Sequence, residues 1–287
     1  MSENHECSVT SFDIGRRNLR ADCEHCFGLC CIALYFSASE GFPKDKDAGQ
    51  PCNYLQQDFR CSVHKSLSEK GLKGCRGFDC FGAGQKVAQV SFGGCDWKKA
   101  PESAKPMFEA FLIMRQLHEL LWYLTEALTL QPARSLHGAL RTILDETEQL
   151  THLSPDSLIK LDVAQHRAVV NTLLVKTSEL VRAEARHGQK APSGRQRTFQ
   201  RGADLIAKDL RKIDLRGANL RGAYLIAADL RETDLSGTDF IGADFRDADL
   251  RGADLTQSIF LTQAQLNAAK GDNNTKLPLA LTHPANW

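Results

Sequence analysis

The sequence predicts a mixed fold of three parts: a cysteine-rich, metal-binding amino-terminal domain, a bundle of α-helices, and a carboxy-terminal stack of repeated coils. Three observations carry this prediction. All ten cysteines fall before residue 96, apolar residues recur at helical steps between 101 and 187, and a five-residue repeat runs unbroken from 201 to 260. The parts read as 1–100, 101–187, a linker over 188–200, the repeat over 201–260 and a cap over 261–287.

The chain has 287 residues, 42% hydrophobic and 25% charged, which suits a globular protein of several domains. A net charge of +1 gives no global field to draw in nucleic acid or an anionic membrane, so a charged partner must be met by a local patch. The opening MSENHECSVTSFDIGRRNLR has no apolar core of a signal peptide, and stretches such as CIALYF and FLIM are too short to cross a bilayer. No membrane contact and a cytoplasmic location are therefore expected. In a reducing cytosol, ten cysteines serve as ligands or redox groups more readily than as structural disulfides.

The first part concentrates thiols in CEHCFGLCC, which holds Cys23, Cys26, Cys30 and Cys31. On a helical turn the first three share one face, so they can converge on one centre while Cys31 reaches a neighbouring one. Cys52 follows, then CSVH with Cys61 and His64, then GCRGFDC with Cys75 and Cys80. Two residues between cysteines form a compact chelate, because both sulfurs can then approach one ion. The segment shows no long periodic apolar run, and a small domain short of core commonly needs a staple or a metal. Reversible disulfide chemistry and ordinary buried thiols are the alternative readings. Cys7 and Cys95 fit neither pattern and read as free thiols.

Over residues 20 to 85 this pattern resembles the cysteine-cluster family of zinc- or iron-chelating proteins. The resemblance implies Cys23, Cys26, Cys30, Cys31, Cys52, Cys61, Cys75 and Cys80 as ligands, with His64 added here from its place three residues beyond Cys61. Many relatives carry Arg-Pro ahead of the Cys75 position, where this chain has SLSEKGLKGC. Zinc would be structural, whereas an iron–sulfur cluster would open electron transfer or radical chemistry, and spacing does not separate the two.

In the second part, Phe108, Leu112, Met114, Leu117, Leu121 and Leu124 recur just past Pro106 at three- and four-residue steps, apart from the two-residue step from Leu112 to Met114. PARSLHGALRTILDETEQL and DVAQHRAVVNTLLVKTSELVRAEA repeat the pattern, and Ser154-Pro155-Asp156 reads as a break with a helix cap. Three or four packed helices follow. His118, His137, His152, His166 and His187 are scattered without a catalytic spacing and read as surface or core histidines. CFGAGQ and SFGGC read as turns. No G-x-S-x-G, Walker A or H-E-x-x-H motif is present, which removes support for hydrolases of those types.

The third part reads RGADL IAKDL RKIDL RGANL and onward for twelve units, with Leu or Phe at every fifth position and small residues two positions earlier. A period of five matches neither a helix nor a strand. It closes only if each unit is one side of a coil whose large and small residues point inward, layer on layer. The segment resembles the pentapeptide-repeat family. That resemblance implies a right-handed quadrilateral β-helix of four units per coil, hence three coils, capped by the residues after 260. Lys208 and Ile213 depart from the small position, so the first coil is expected to be distorted. Arg211, Arg231 and Arg251 would stack on one face with Asp214, Asp234 and Asp254 nearby, as an anion ladder or as mutually compensating charges.

The leading functional expectation is an intracellular protein with a thiolate-bound zinc or iron–sulfur centre, whose repeat scaffold meets a protein or peptide partner. A second is a metal- or iron–sulfur-dependent enzyme acting on a small molecule or peptide in a biosynthetic pathway. A third, DNA mimicry that shields topoisomerases, needs a long acidic rod. Residues 201–260 hold 9 Arg and Lys against 11 Asp and Glu, a net of −2, and meet that need poorly.

Overall fold

The computed structural model describes residues 18–187 and 199–287. Cys7 and nearly all of the expected linker lie outside the described residues. The cysteine-rich segment is a series of tight turns around short helices: α1 (Leu29–Ala33), α2 (Lys73–Arg76) and α3 (Ala83–Gln85), the last widening into a π turn over Lys86–Ser91. CEHCFGLCC is not one helical stretch. Phe27 and Gly28 adopt left-handed backbone, φ 53° and 66°, and helix begins only at Leu29.

This segment also proves not to lack a core. Leu29, Ile32, Ala83 and Val87 are buried against Met107, Phe111, Met114 and Leu117 of the long helix α4 (Ala104–Ala127). Phe27, Phe59, Trp97 and Phe108 extend that contact as a chain of tilted and edge-on rings with centroids 5.4 to 5.9 Å apart. The expectation that a metal must replace missing apolar contacts is thereby corrected: the core is borrowed from the neighbouring helix.

Helices α5 (His137–Leu150), α6 (Pro155–Ile159) and α7 (Val163–Arg186) complete the bundle. Ser154 caps α6 by accepting from the Ser157 amide, with Pro155 in the first turn. In α4 the buried face runs through Met107, Phe111, Met114, Leu117, Leu121 and Leu124. Phe108 is half-buried and Leu112 is 39% exposed, so the expected face is one residue out over the first two turns. The apolar run FLIM permits both registers, and contact with α1 selects one.

Residues 201–260 form a coil that returns on itself every twenty residues. The Leu205 amide bonds Tyr224 O at 3.0 Å and the Tyr224 amide bonds Ala203 O at 2.9 Å, a pattern repeated up the stack. Layers are joined by isolated parallel bridges, such as Asp229 with Asp249, and no continuous strand occurs among the described residues. From Leu215 to Phe260 the large inward residues are fully or almost fully buried. The first coil is imperfect where expected: Lys208 is exposed, Ile213 is 37% exposed, and no bridge joins Asp214 to Asp234 among the described residues. A longer side chain cannot enter the space that alanine or threonine fills in the coils above.

The far end of the stack is closed. Helix α8 (Gln263–Ala268) starts from a capping box made by Thr262 and Gln265, and Gln265 also donates to Phe240 O and Ala243 O. Lys270 and Lys276 pair with Asp249 and Asp254 through parallel bridges, giving the last coil backbone partners. Helix α4 contributes as well, because Glu126 Oε1 accepts the Phe260 amide at 2.6 Å. Helix α7 lies along the side of the stack. A Cβ at Gly217 would stand 2.6 Å from Arg182 O, and one at Gly237 2.4 Å from the Ala185 Cβ, so that approach requires glycine.

Candidate metal centre

The turn at Phe27 and Gly28 points the paired thiols of CEHCFGLCC in different directions, and residues from distant loops complete two groups. Cys26 Sγ donates to Cys23 O at 3.5 Å, and Cys26, Cys30 and Cys80 are all close enough to Cys23 to act on it electrostatically. Cys31 faces Cys30, Cys52 and Cys61, and Cys75 lies near Cys30, Cys52 and Cys61. Cys30 stands between the groups. Cys23, Cys26, Cys30, Cys31, Cys61, Cys75, Cys80 and His64 line one cavity of about 890 Å³, and Cys52 joins them through Cys31. Cys95 is exposed and apart. The expected convergence of Cys23, Cys26 and Cys30 from one helical face is thus corrected, since the grouping is made by a chain reversal and not by helix.

Thiolate character follows from local donors. Cys52 and Cys61 are each lowered to about 6, chiefly by the neighbouring Cys31, whose single S–H can serve only one of them at a time, aided by the amides of Tyr54 and Val63 respectively. Cys26 is lowered to about 7 by Cys23 and by the Gly28 and Leu29 amides. Burial pushes Cys75 and Cys80 up to about 12. Lys46, which is almost wholly buried, donates to the carbonyls of Leu34, Asp47 and Gln50 and adds its positive field at Cys52.

Gly84 allows the first group to close. A Cβ there would meet the Cys26 Cβ at 2.8 Å, and would lie 3.8 and 3.9 Å from the sulfurs of Cys26 and Cys80. Two sulfurs on a tetrahedral zinc stand about 3.8 Å apart, given bonds of about 2.3 Å. Cys30 and Cys31 are 3.9 Å apart, and Cys23 Sγ is 4.0 Å from His64 Nε2. Each is a single donor–donor contact of about the length that one edge of a tetrahedral shell would have. No three donors among the described residues stand ready around one point, so an ion would be held only after side-chain rotation. The donor chemistry fits a thiolate-bound ion, and the nine described cysteines are all free thiols.

Sequence reasoning missed the groups that share this cavity with the thiols. Arg115 of α4 stacks over the Phe78 ring at 5.7 Å and makes no ion pair among the described residues, and Tyr123 and Arg246 lie on other walls. The scattered histidines are mostly satisfied: His118 Nδ1 bonds Phe81 O at 2.7 Å and His166 Nε2 meets the Thr147 hydroxyl at 2.9 Å. On the stack, Arg211, Arg231 and Arg251 form bidentate pairs with Asp209, Asp229 and Asp249, two residues earlier, and not with Asp214, Asp234 and Asp254. The ladder's charges compensate each other locally, leaving neither a free anion site nor an acidic rod.

The stacked coils and their inward ladders are those of a pentapeptide-repeat protein, and residues 201–237 and 224–260 match the pentapeptide repeats in eight copies. The chain as a whole belongs to the family of the uncharacterized protein YybG of Bacillus subtilis (strain 168). The two are 60% identical over 279 residues, covering 97% of this chain and 98% of that protein. A crystal structure of a pentapeptide repeat protein from the cyanobacterium Cyanothece 51142 is 29% identical over 26% of this chain and 57% of its own, with a TM-score of 0.20. No helix among the described residues is long and apolar enough to cross a membrane.

Proposed function

We propose that Cys23, Cys26, Cys30, Cys31, Cys52, Cys61, Cys75 and Cys80, with His64 beside them, hold zinc or an iron–sulfur cluster, and that the repeat stack and helices present this centre to a protein or peptide partner. One observation carries the reading. Cys31 faces three other sulfurs, yet one S–H can serve one acceptor, so a multivalent cation satisfies the group better than hydrogen does. When bound, zinc would brace the turns, and an iron–sulfur cluster would add electron transfer. The stack supports partner binding with a rigid face on which Ile206 and Tyr224 are 45% and 51% exposed.

The test is elemental analysis and an absorption spectrum of the full chain purified without oxygen. Zinc, or iron with sulfide, in fixed ratio to protein is expected, and Cys26→Ser with Cys30→Ser should lose most of it. Native protein free of both metals, with its cysteines joined as disulfides, would overturn the assignment. A second reading, an enzyme acting on a small molecule or peptide, is favoured by the position of Arg115, which shares the cavity with the thiols, feels the Asp79 carboxyl there and makes no ion pair among the described residues. Retention of an anionic molecule on the metal-loaded protein, lost in Arg115→Met, would support it.

A further inference from the structure

A separate cleft of about 950 Å³ lies between α5, the second half of α4 and the turns after Asn18. None of the candidate ligands lines it. His118, only 4% exposed, forms part of its wall. Its Nδ1 lies 2.7 Å from Phe81 O. A carbonyl can only accept, so Nδ1 carries the hydrogen and Nε2 is left as a bare acceptor, with no hydrogen-bond partner among the described residues. Burial, with the nearby field of Lys86, holds the ring neutral.

Arg20 stands at the edge of the cleft, donating to Ala280 O at 3.4 Å, and two further cations face the same space. Lys86 is half-buried, its ammonium 3.3 Å from His152 Nε2 and 3.5 Å from Nδ1, and Arg141 projects from α5 at the exposed rim. Neither makes an ion pair among the described residues. Of the two carboxylates present, Asp22 is held by His25 at 2.8 Å, while Glu148 lies near Lys86 beyond ion-pair distance. A neutral acceptor in the wall with cations around it suits a ligand that is anionic and also carries a hydrogen to donate.

The geometry points to this cleft as a binding site for a small oxyanion bearing its own O–H, of which hydrogen phosphate is the simplest. Lys86 and Arg141 take the charged oxygens and His118 Nε2 accepts the hydroxyl hydrogen. Sulfate has a similar size and charge but no hydrogen to give, so it leaves Nε2 unmatched and the site discriminates against it.

The test is titration of the full chain with inorganic phosphate and, separately, with sulfate, read by calorimetry and by the nitrogen resonances of His118. Phosphate is expected to saturate and to shift Nε2 alone of the two ring nitrogens, with sulfate weaker by about tenfold or more. Lys86→Met should weaken phosphate by a similar factor while leaving the melting temperature near that of the parent. His118→Phe should remove the preference for phosphate over sulfate; if that variant fails to fold, the Nε2 shift in the parent decides. Equal binding of both anions, no saturation by phosphate, or affinity unchanged in Lys86→Met would overturn the site. Serine variants of Cys26 and Cys30 should leave phosphate binding intact, which separates this outcome from the fate of the metal centre.

Discussion

Arg221 and Asp239 meet at 3.0 Å with side chains 7% and 0% exposed, and a second Arg221 nitrogen donates to Asn171 of α7. The pair therefore ties the second coil to the helix beside it. Asp239→Ala leaves the guanidinium buried without its counter-charge and should cost about 3 to 5 kcal/mol, measured as a lower midpoint in urea. Arg251→Ala, which breaks an exposed pair with Asp249, should cost less than about 1 kcal/mol. Equal losses in the two variants would show that burial does not set the value of these pairs.

Position within the repeat decides the cost of truncation. Phe240 is fully buried and packs edge-on against Phe245 at 5.0 Å. Phe240→Ala should cost about 3 to 5 kcal/mol through lost burial and the cavity left behind. Ile213→Ala restores a small residue at a corner that is already open and should stay within about 0.5 kcal/mol. Chemical denaturation of both variants checks the contrast.

Acid should weaken the fold through His118. Burial pushes its titration down to about 4, against about 6.5 for free imidazole. Between these values the unfolded chain binds a proton that the native chain does not, so stability rises with pH across the window and is lost as pH falls through it. A loss of about 3 kcal/mol from pH 6.5 to 4 is the expected contribution. His118→Gln should flatten the slope in that range, and an unchanged slope would assign the acid sensitivity elsewhere.

Gly84→Ala brings a methyl group to 2.8 Å from the Cys26 Cβ, closer than neighbouring carbons tolerate. The expected result is a loss of about 1 to 3 kcal/mol from overpacking, together with reduced metal content after anaerobic purification. Gly138→Ala, at a helical position with nothing within 4 Å, is the control and should lose neither.

The repeat was legible because each unit carries its own instructions: Leu or Phe inward, a small residue two places earlier, and Lys208 and Ile213 visible as exceptions in the sequence itself. The three longer helices of the bundle were legible for a related reason, since 3.6-residue periodicity is local, whereas the five-residue α6 falls where Ser154-Pro155-Asp156 read only as a break with a helix cap. The register of α4 was not, because Phe108 and Phe111 are equally apolar and only contact with α1 chooses between them. The cysteine cluster was legible as a set but not as an arrangement. Its grouping depends on the reversal at Phe27 and on Cys52, Cys61, Cys75 and Cys80 arriving from loops. The cleft beside His118 left no signal, because Lys86, His118 and Arg141 come together only through packing between helices.

One end of the stack is bolted by α8, Gln265 and Glu126, while the other begins with a coil that has a missing rung at Asp214. Such a column has a weak end and a strong end. Amide exchange should therefore appear first at Leu205 and Leu210 and last at Leu250 and Leu255, and heat should unravel the column in that same direction.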